Sequence, residues 1–267
     1  MKMRDTIAAV CATPPVRGLV VWFGRTGWGR RLLTMLAPYR GVYSSLEEAW
    51  RAAGKNRHPG HEHPDAVHRH LPLAQSLRPS DYAVLYWLRR LSGNVRLFDY
   101  GGNMGNVFYS CIGYLEPLGV TWTVYDLPLV IEIARQMASQ RAGPLPHFTT
   151  SITDAAGANV LLVSGSFHFW EKSTVEFLDQ FPQLPEHVFV NRSPFYERDR
   201  QSVVSMQSTY DFAFPIVVRS VSELIGGFTS RGYKLIDRWA APEYSHVTPF
   251  FPEDSVHSYS GFYFRRT

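Results

Sequence analysis

The residues best placed to do chemistry are Asp99, Gly101, Gly102, Asn103 and Gly105, in the string Leu97-Phe98-Asp99-Tyr100-Gly101-Gly102-Asn103-Met104-Gly105-Asn106. An apolar run enters this string and a helical pattern leaves it. Glycine permits a positive φ and lets backbone lie close to a ligand. Asn103 stands where a further glycine would suit, and asparagine visits the left-handed region more readily than most residues. The helix that follows offers free N–H groups to an anion such as a carboxylate. A pyrophosphate-binding turn wants G-x-G-x-x-G directly after its strand. Here the strand ends in Asp99, whose charge would repel a diphosphate and attract an ammonium group. S-adenosylmethionine carries both an α-ammonium and a carboxylate, so it fits this pattern better than NAD(P) or FAD. A purely structural turn is the remaining reading.

The second strand ends Val124-Tyr125-Asp126-Leu127-Pro128. A carboxylate there can accept both ribose hydroxyl hydrogens, and Leu127 can lie against adenine. Taken alone, Asp126 is equally suited to cap the helix that Pro128 opens. After the third strand, Ser151, Ile152 and Asp154 are placed to border the adenine, Asp154 accepting from its exocyclic amine; a capped surface turn is the plainer reading.

The fourth strand runs into Val163-Ser164-Gly165-Ser166-Phe167-His168-Phe169-Trp170-Glu171, at an edge that faces the ligand crevice in open α/β sheets. Ser164 and Gly165 would border the ligand. Phe167 and Phe169 are candidates to stabilise a sulfonium by cation–π attraction, with core packing as the plainer role. His168 is a candidate general base or a satisfied structural histidine. The fifth strand ends Val190-Asn191-Arg192-Ser193-Pro194. Asn191 both donates and accepts, so it can orient an amine or hydroxyl; Arg192 can hold a carboxylate or join a surface ion pair.

These positions need strands to carry them. From about residue 95, short apolar runs alternate with helix-length segments, which predicts a parallel sheet with helices on both faces. The last two candidate strands, Tyr233–Asp237 and Tyr259–Phe264, are joined by a long loop without a helix. That predicts an antiparallel final strand, as in class I methyltransferases, on a Rossmann-like, mostly parallel seven-stranded sheet. Residues 1–92 read mostly as helix and 93–267 as the catalytic domain. Ser44 and Ser45 precede Glu47 and Glu48 at capping-box spacing, and Ser80 suits an N-cap.

With 267 residues, 45% of them hydrophobic, and a net charge of +4, the chain suits one globular domain with a helical appendage. Nothing in it matches a nucleic-acid-binding signature. Two cysteines are too few for a disulfide framework and fit a reducing cytoplasm. No apolar run reaches transmembrane length. His58, His61, His63, His68 and His70 match no closed zinc pattern, so no metal is expected. Trp22, Phe23 and Trp28, in a basic N-terminal stretch, suit a homodimer contact.

The sequence resembles a bacterial family of class I methyltransferases found in surface-polysaccharide and secondary-metabolite gene clusters. The resemblance lies in Tyr43-Ser44-Ser45-Leu46-Glu47-Glu48-Ala49, Phe98 through Gly105, Val163-Ser164-Gly165-Ser166, Asn191-Arg192-Ser193-Pro194 and Gly232-Tyr233. It also resembles the azetidine-2-carboxylate synthases of nonribosomal peptide pathways. Those enzymes use S-adenosylmethionine as sole substrate: its α-amine attacks its own Cγ and expels 5′-methylthioadenosine. The resemblance implies an aromatic ring (Phe167 or Phe169) beside the sulfonium and Asn191 near the amine. No obvious carboxylate base stands at the fourth strand's end and the candidate pocket is rich in rings, so cyclisation is the first expectation. Methyl transfer to a small molecule or sugar is the alternative, and a non-catalytic binding module the third reading.

Overall fold

The computed structural model describes residues 10–11, 13–24, 26, 28–29, 32, 39–53, 58–59, 77–115, 119–208, 212–248 and 251–267. In chain order the elements are α1 (Pro14–Gly24), β1 (Tyr39–Tyr43), α2 (Leu46–Ala53), β2 (His58–Pro59), α3 (Asp81–Leu88), β3 (Arg96–Tyr100), α4 (Asn106–Leu115), β4 (Thr121–Tyr125), α5 (Pro128–Ala138) and β5 (His147–Thr149). They continue with β6 (Val160–Ser164), α6 (Thr174–Asp179), β7 (His187–Ser193), β8 (Phe195–Tyr196), β9 (Val203–Ser208), β10 (Phe212–Ser220), α7 (Val221–Thr229), β11 (Tyr233–Ala241) and β12 (Tyr259–Arg266).

The main sheet has seven strands in the order β11-β12-β7-β6-β3-β4-β5. β5, β4, β3, β6 and β7 run parallel, while β12 is antiparallel to both β7 and β11. This is the Rossmann-like sheet of the class I methyltransferase fold, with the antiparallel last strand that the sequence predicts.

Alternation along β3 decides what Asp99 can do. Leu97 and Phe98 join different cores: Leu97 packs with residues of α3, α4 and α5, and Phe98 with residues of α6 and α7. Side chains alternate faces along a strand, so Asp99 shares the Leu97 face. Burying a leucine or phenylalanine of these layers contributes about 1.5–3 kcal/mol, which fixes the register and leaves Asp99 no route to solvent along the strand.

Helix ends follow local chemistry. Pro128 opens α5 at its first turn. Ser173 and Glu176 form a reciprocal capping box on α6. Ser80 does occupy the N-cap position of α3, but its side chain does not cap; its hydroxyl donates to Glu243 Oε1 at 2.5 Å instead. Ser45 Oγ accepts the Glu48 N–H at 3.1 Å, which starts α2 as its sequence predicts.

The early part of the chain departs from a mostly helical reading. β1 is a strand that pairs antiparallel with β9, and β9 pairs with β10, in a second sheet ordered β1-β9-β10-β2. Ala49 of α2 packs there with Val204, Met206 and Val217. The backbone of His58 and Pro59 pairs with β10. His61, His63, His68 and His70 lie outside the described residues. Among the described residues no group of three His, Cys, Asp or Glu could hold a metal ion, and no helix is long and apolar enough to cross a membrane.

Candidate functional site

The turn after β3 is built around a buried carboxylate. Asp99 is fully buried; Trp122 Nε1 donates to its Oδ2 at 3.2 Å, while Oδ1 has no hydrogen-bond partner among the described residues. Burial pushes its carboxyl up to about 7; the Trp122 bond and the Arg192 charge pull it down, and Asp126 and Asp81 push it further up. A Cβ on Gly102 would sit 2.6 Å from the Asp99 carboxyl carbon, so only glycine lets backbone pass over this group. Gly101 holds φ +68°, and a Cβ there would lie 2.5 Å from the Ser166 Cβ. Asn103 takes φ 57°, the left-handed conformation that its residue type accommodates. Gly105 also has a positive φ of +83°, but its nearest neighbour is the Tyr109 ring, so it serves packing at the start of α4.

Asp126, one strand over, ties this turn down. Its Oδ2 accepts the Asn103 N–H at 2.8 Å and its Oδ1 accepts the Leu127 N–H at 2.7 Å. Burial raises its carboxyl to about 6 against the pull of those two N–H groups. Each carboxylate oxygen can accept a second bond, and the residue is only partly buried, so it can hold the turn and a ribose together. Leu127, also partly buried, sits beside it in extended conformation before α5.

Ser151, Ile152 and Asp154 follow β5, the latter two in a single 3-10 turn over Ile152–Ala155. Thr149 Oγ1 donates to Asp154 Oδ2 at 2.5 Å and accepts the Ser151 N–H at 3.0 Å. Asp154 is exposed and closes its own turn.

The ends of β6 and β7 hold a buried polar network. Asn191 is fully buried; its Nδ2 donates to Ser164 Oγ at 3.1 Å and its Oδ1 accepts from Trp239 Nε1 at 3.0 Å. Arg192, at φ 56°, makes a buried ion pair with Asp81 of α3, Nη1 lying 3.0 Å from Oδ1. Burial pulls its guanidinium below its usual value. Arg192 is therefore in the interior, not in a surface ion pair. Gly165 holds φ +78° and donates its N–H to the Asn191 carbonyl at 2.8 Å, and Ser166 Oγ donates to the Tyr100 carbonyl at 2.7 Å.

The three ring residues after β6 diverge. Phe167 is 1% exposed and lies edge-on to Phe177, centroids 5.1 Å apart, with the Arg219 guanidinium 5.3 Å above its ring. His168 is buried with its ring 4.3 Å from that of Phe169, and Phe169 packs against Phe214 and the cluster of Tyr196, Ile216, Val218 and Val256. Phe167 thus takes the core role, and the three do not converge on one ligand.

Asp81, Trp122, Trp239 and Glu243 join the site without a local sequence signal. Each reaches its partner from a distant segment: Asp81 to Arg192, and Glu243 to Ser80 across the β11–β12 connection. An isolated acidic residue at a helix start reads as a dipole partner, and nothing in its neighbourhood announces a guanidinium from another strand.

No family model and no curated protein matches the chain. Solved structures do resemble it. The chain aligns over 98% of its length with 75% of the mitomycin 7-O-methyltransferase MmcR, at 16% identity and TM-score 0.49. It aligns over 71% with 77% of the 1,6-didemethyltoxoflavin-N1-methyltransferase of Burkholderia thailandensis, solved with 1,6-didemethyltoxoflavin and S-adenosylhomocysteine, at 15% identity and TM-score 0.46. It aligns over 94% with the whole (100%) of the magnesium protoporphyrin IX methyltransferase of Synechocystis PCC 6803, at 13% identity and TM-score 0.46. Strand order and register carry the fold, and these remote likenesses add nothing about the site.

Proposed function

We propose that this chain binds S-adenosylmethionine across the β3–α4 turn and transfers its methyl group to a small molecule. One observation carries the reading: a buried carboxylate, Asp99, lies beneath bare glycine backbone with an oxygen that has no hydrogen-bond partner among the described residues. An unsatisfied buried oxygen costs about 1–3 kcal/mol, a cost that a ligand's ammonium group offsets. Asp126 stands one strand away, where a ribose would follow.

In this reading Asp99 supplies the charge opposite the ammonium, while the N–H groups of Gly101 through Asn106, expected from the sequence to meet the carboxylate, are all bonded within the protein and serve to shape the turn. The spare acceptor capacity of Asp126 takes the ribose hydroxyls. Leu127 and Ile152 flank the adenine, with the second oxygen of Asp154 toward its amine. Ser164 and Gly165 border the methionine chain. A nucleophile on the acceptor then attacks the sulfonium methyl, and the electron pair of the breaking C–S bond stays on sulfur as S-adenosylhomocysteine. Holding donor and acceptor in line supplies most of the rate. Residues 93–267 carry these groups; the region before residue 93 acts as a cap, with α3 placing Asp81 over the edge of the sheet.

The ring closure implied by the azetidine synthase resemblance finds no support in this arrangement. Phe167 is enclosed in the core, and both ends of the Asn191 amide are already bonded. Mass spectrometry after incubation with S-adenosylmethionine alone should therefore show the donor unchanged. S-adenosylhomocysteine should form once amine- or hydroxyl-bearing acceptors are supplied. Methylthioadenosine with a cyclic C4 amino acid would replace methyl transfer by cyclisation. Absence of binding in calorimetry would leave only a binding module for another ligand.

A further inference from the structure

Two charged side chains beyond the β3–α4 turn are left half-bonded. Glu243, just past the end of β11, commits Oε1 to Ser80, accepting its N–H at 3.2 Å and its hydroxyl at 2.5 Å. Its Oε2 is buried and has no hydrogen-bond partner among the described residues. Arg78 donates its backbone N–H to Asp81 Oδ2 at 3.0 Å, yet its buried Nη2 has no such partner either. The two residues meet around Ser80: the Arg78 guanidinium lies 5.8 Å from the ring centre of Tyr244, the residue after Glu243. Both atoms being unbonded, they do not satisfy each other. A buried polar atom left unpaired is costly, and more so when charged.

Their place suits a methyl acceptor. Ligands of open α/β sheets lie beyond the carboxyl ends of the strands. Arg192, at the end of β7, links this pair to the donor turn. A Cβ on Gly165 would stand 3.9 Å from its Nε. Beyond the effects of burial, the Arg192 charge draws the Asp99 carboxyl down, and the Arg78 charge lowers Arg192 in turn. Rings stand beside the pair: Tyr244 stacks on Tyr259 with centres 5.8 Å apart, and the His168 ring meets Tyr259 edge-on at 6.0 Å. Such rings favour a flat apolar body. Charge narrows the choice further. Arg192 and Asp81 neutralise each other, which leaves one cation, Arg78, and one anion, Glu243. An occupant with a single charge would pair one of them and strand the other. A zwitterion pairs both.

We propose that the methyl acceptor is an aromatic amino acid, held with its carboxylate on Arg78, its ammonium on Glu243 and its ring against Tyr244. The acceptor role rests on the methyl-transfer reading above. Asp99 attracts an ammonium too, so the donor site must be filled before the second site is probed.

The test is calorimetry of the full chain saturated with S-adenosylhomocysteine. The probes are L-phenylalanine, L-tyrosine and L-tryptophan, each beside the amine that lacks its carboxylate and the acid that lacks its amine. At least one amino acid should bind, and its two truncated forms should bind about tenfold more weakly. Arg78→Gln keeps the backbone N–H that Asp81 accepts, and should reduce the amino acid to the level of its amine. Glu243→Gln keeps an oxygen for Ser80, and should reduce it to the level of its acid. Both variants should hold S-adenosylhomocysteine as the parent does and keep its circular dichroism. If S-adenosylhomocysteine binds and none of the three amino acids does, this proposal alone falls. Equal affinity for whole and truncated forms overturns it as well, and so does a preference that survives both substitutions. If S-adenosylhomocysteine itself fails to bind, the methyl-transfer reading falls and the acceptor role with it.

Discussion

Arg192 and Asp81 form an ion pair that closes the top of the sheet: Nη1 of Arg192 lies 3.0 and 3.3 Å from the two oxygens of Asp81, and both side chains are under 5% exposed. The pair joins the end of β7 to the first turn of α3. Asp81 also accepts the Arg78 N–H at 3.0 Å, so one carboxylate holds the whole approach to the helix.

Removing one partner leaves a buried charge uncompensated. Arg192→Met and Asp81→Leu should each lower stability by about 3–5 kcal/mol in urea unfolding. The double variant should lose less than the sum of the two, and a cycle showing simple additivity would mean that the pair is not coupled.

Asp99 sets a pH dependence with a definite sign. Its carboxyl is raised to about 7 by burial, so below that pH the ligand-free protein holds it protonated. An ammonium favours the carboxylate, and binding must expel the proton. Affinity for S-adenosylmethionine should climb about tenfold per pH unit below about 7 and level off above it. Asp99→Asn should abolish that slope and bind as weakly as the parent does in acid. Stability of the ligand-free protein runs the other way. A folded value above the unfolded 3.8 contributes stability that is fully present in acid and lost as pH rises through about 7. Asp126, raised to about 6, adds to the same decline over a slightly lower range. Calorimetry and urea titration of parent and Asp99→Asn between about pH 5 and pH 8 separate the two trends.

Gly101 and Ser166 test the closeness of the turn. An alanine at Gly101 meets the Ser166 Cβ at 2.5 Å and must hold a φ of +68°. The strained φ alone costs about 1–2 kcal/mol, and the collision adds to it. Gly101→Ala should lower the melting temperature and weaken ligand binding at least tenfold. Adding Ser166→Gly should recover the part due to collision and leave the part due to φ. Full recovery would show that conformation is irrelevant there.

The sheet was legible because its signals are local. Val160–Val163 is an uninterrupted apolar run and became a fully buried strand, and Pro128 opened its helix. Asp99, the glycines and Asp126 were legible for the same reason, since strand end, turn and helix start are contiguous in sequence. What could not be read depends on partners far along the chain. β1 reads as a short mixed stretch, Tyr39-Arg40-Gly41-Val42-Tyr43, and becomes a strand only because β9 pairs with it. Asn191 has the chemistry to orient a substrate, yet Trp239 and Ser164, 48 and 27 residues away, take both ends of its amide. Phe167 and Phe169, two positions apart in one apolar string, diverge because Phe167 fits a gap between Phe177 and Phe195.

Asp126 holds the turn and, in the proposed reading, also the ribose, and the two roles can be separated. Its oxygens accept the Asn103 and Leu127 N–H groups, so it shapes the turn; its spare acceptor capacity is what a ribose would use. Asp126→Ala removes both roles and should weaken S-adenosylmethionine binding by about tenfold to hundredfold, the worth of one or two charge-assisted hydrogen bonds. That loss alone does not distinguish a collapsed turn from a missing ribose contact. Donor analogues lacking the 2′- or 3′-hydroxyl do. In the parent they should bind as much as tenfold more weakly than S-adenosylmethionine. In Asp126→Ala the penalty for removing the same hydroxyl should vanish, because its acceptor is already gone. If the penalty persists unchanged, the hydroxyls are held elsewhere and Asp126 is a structural clasp on the turn.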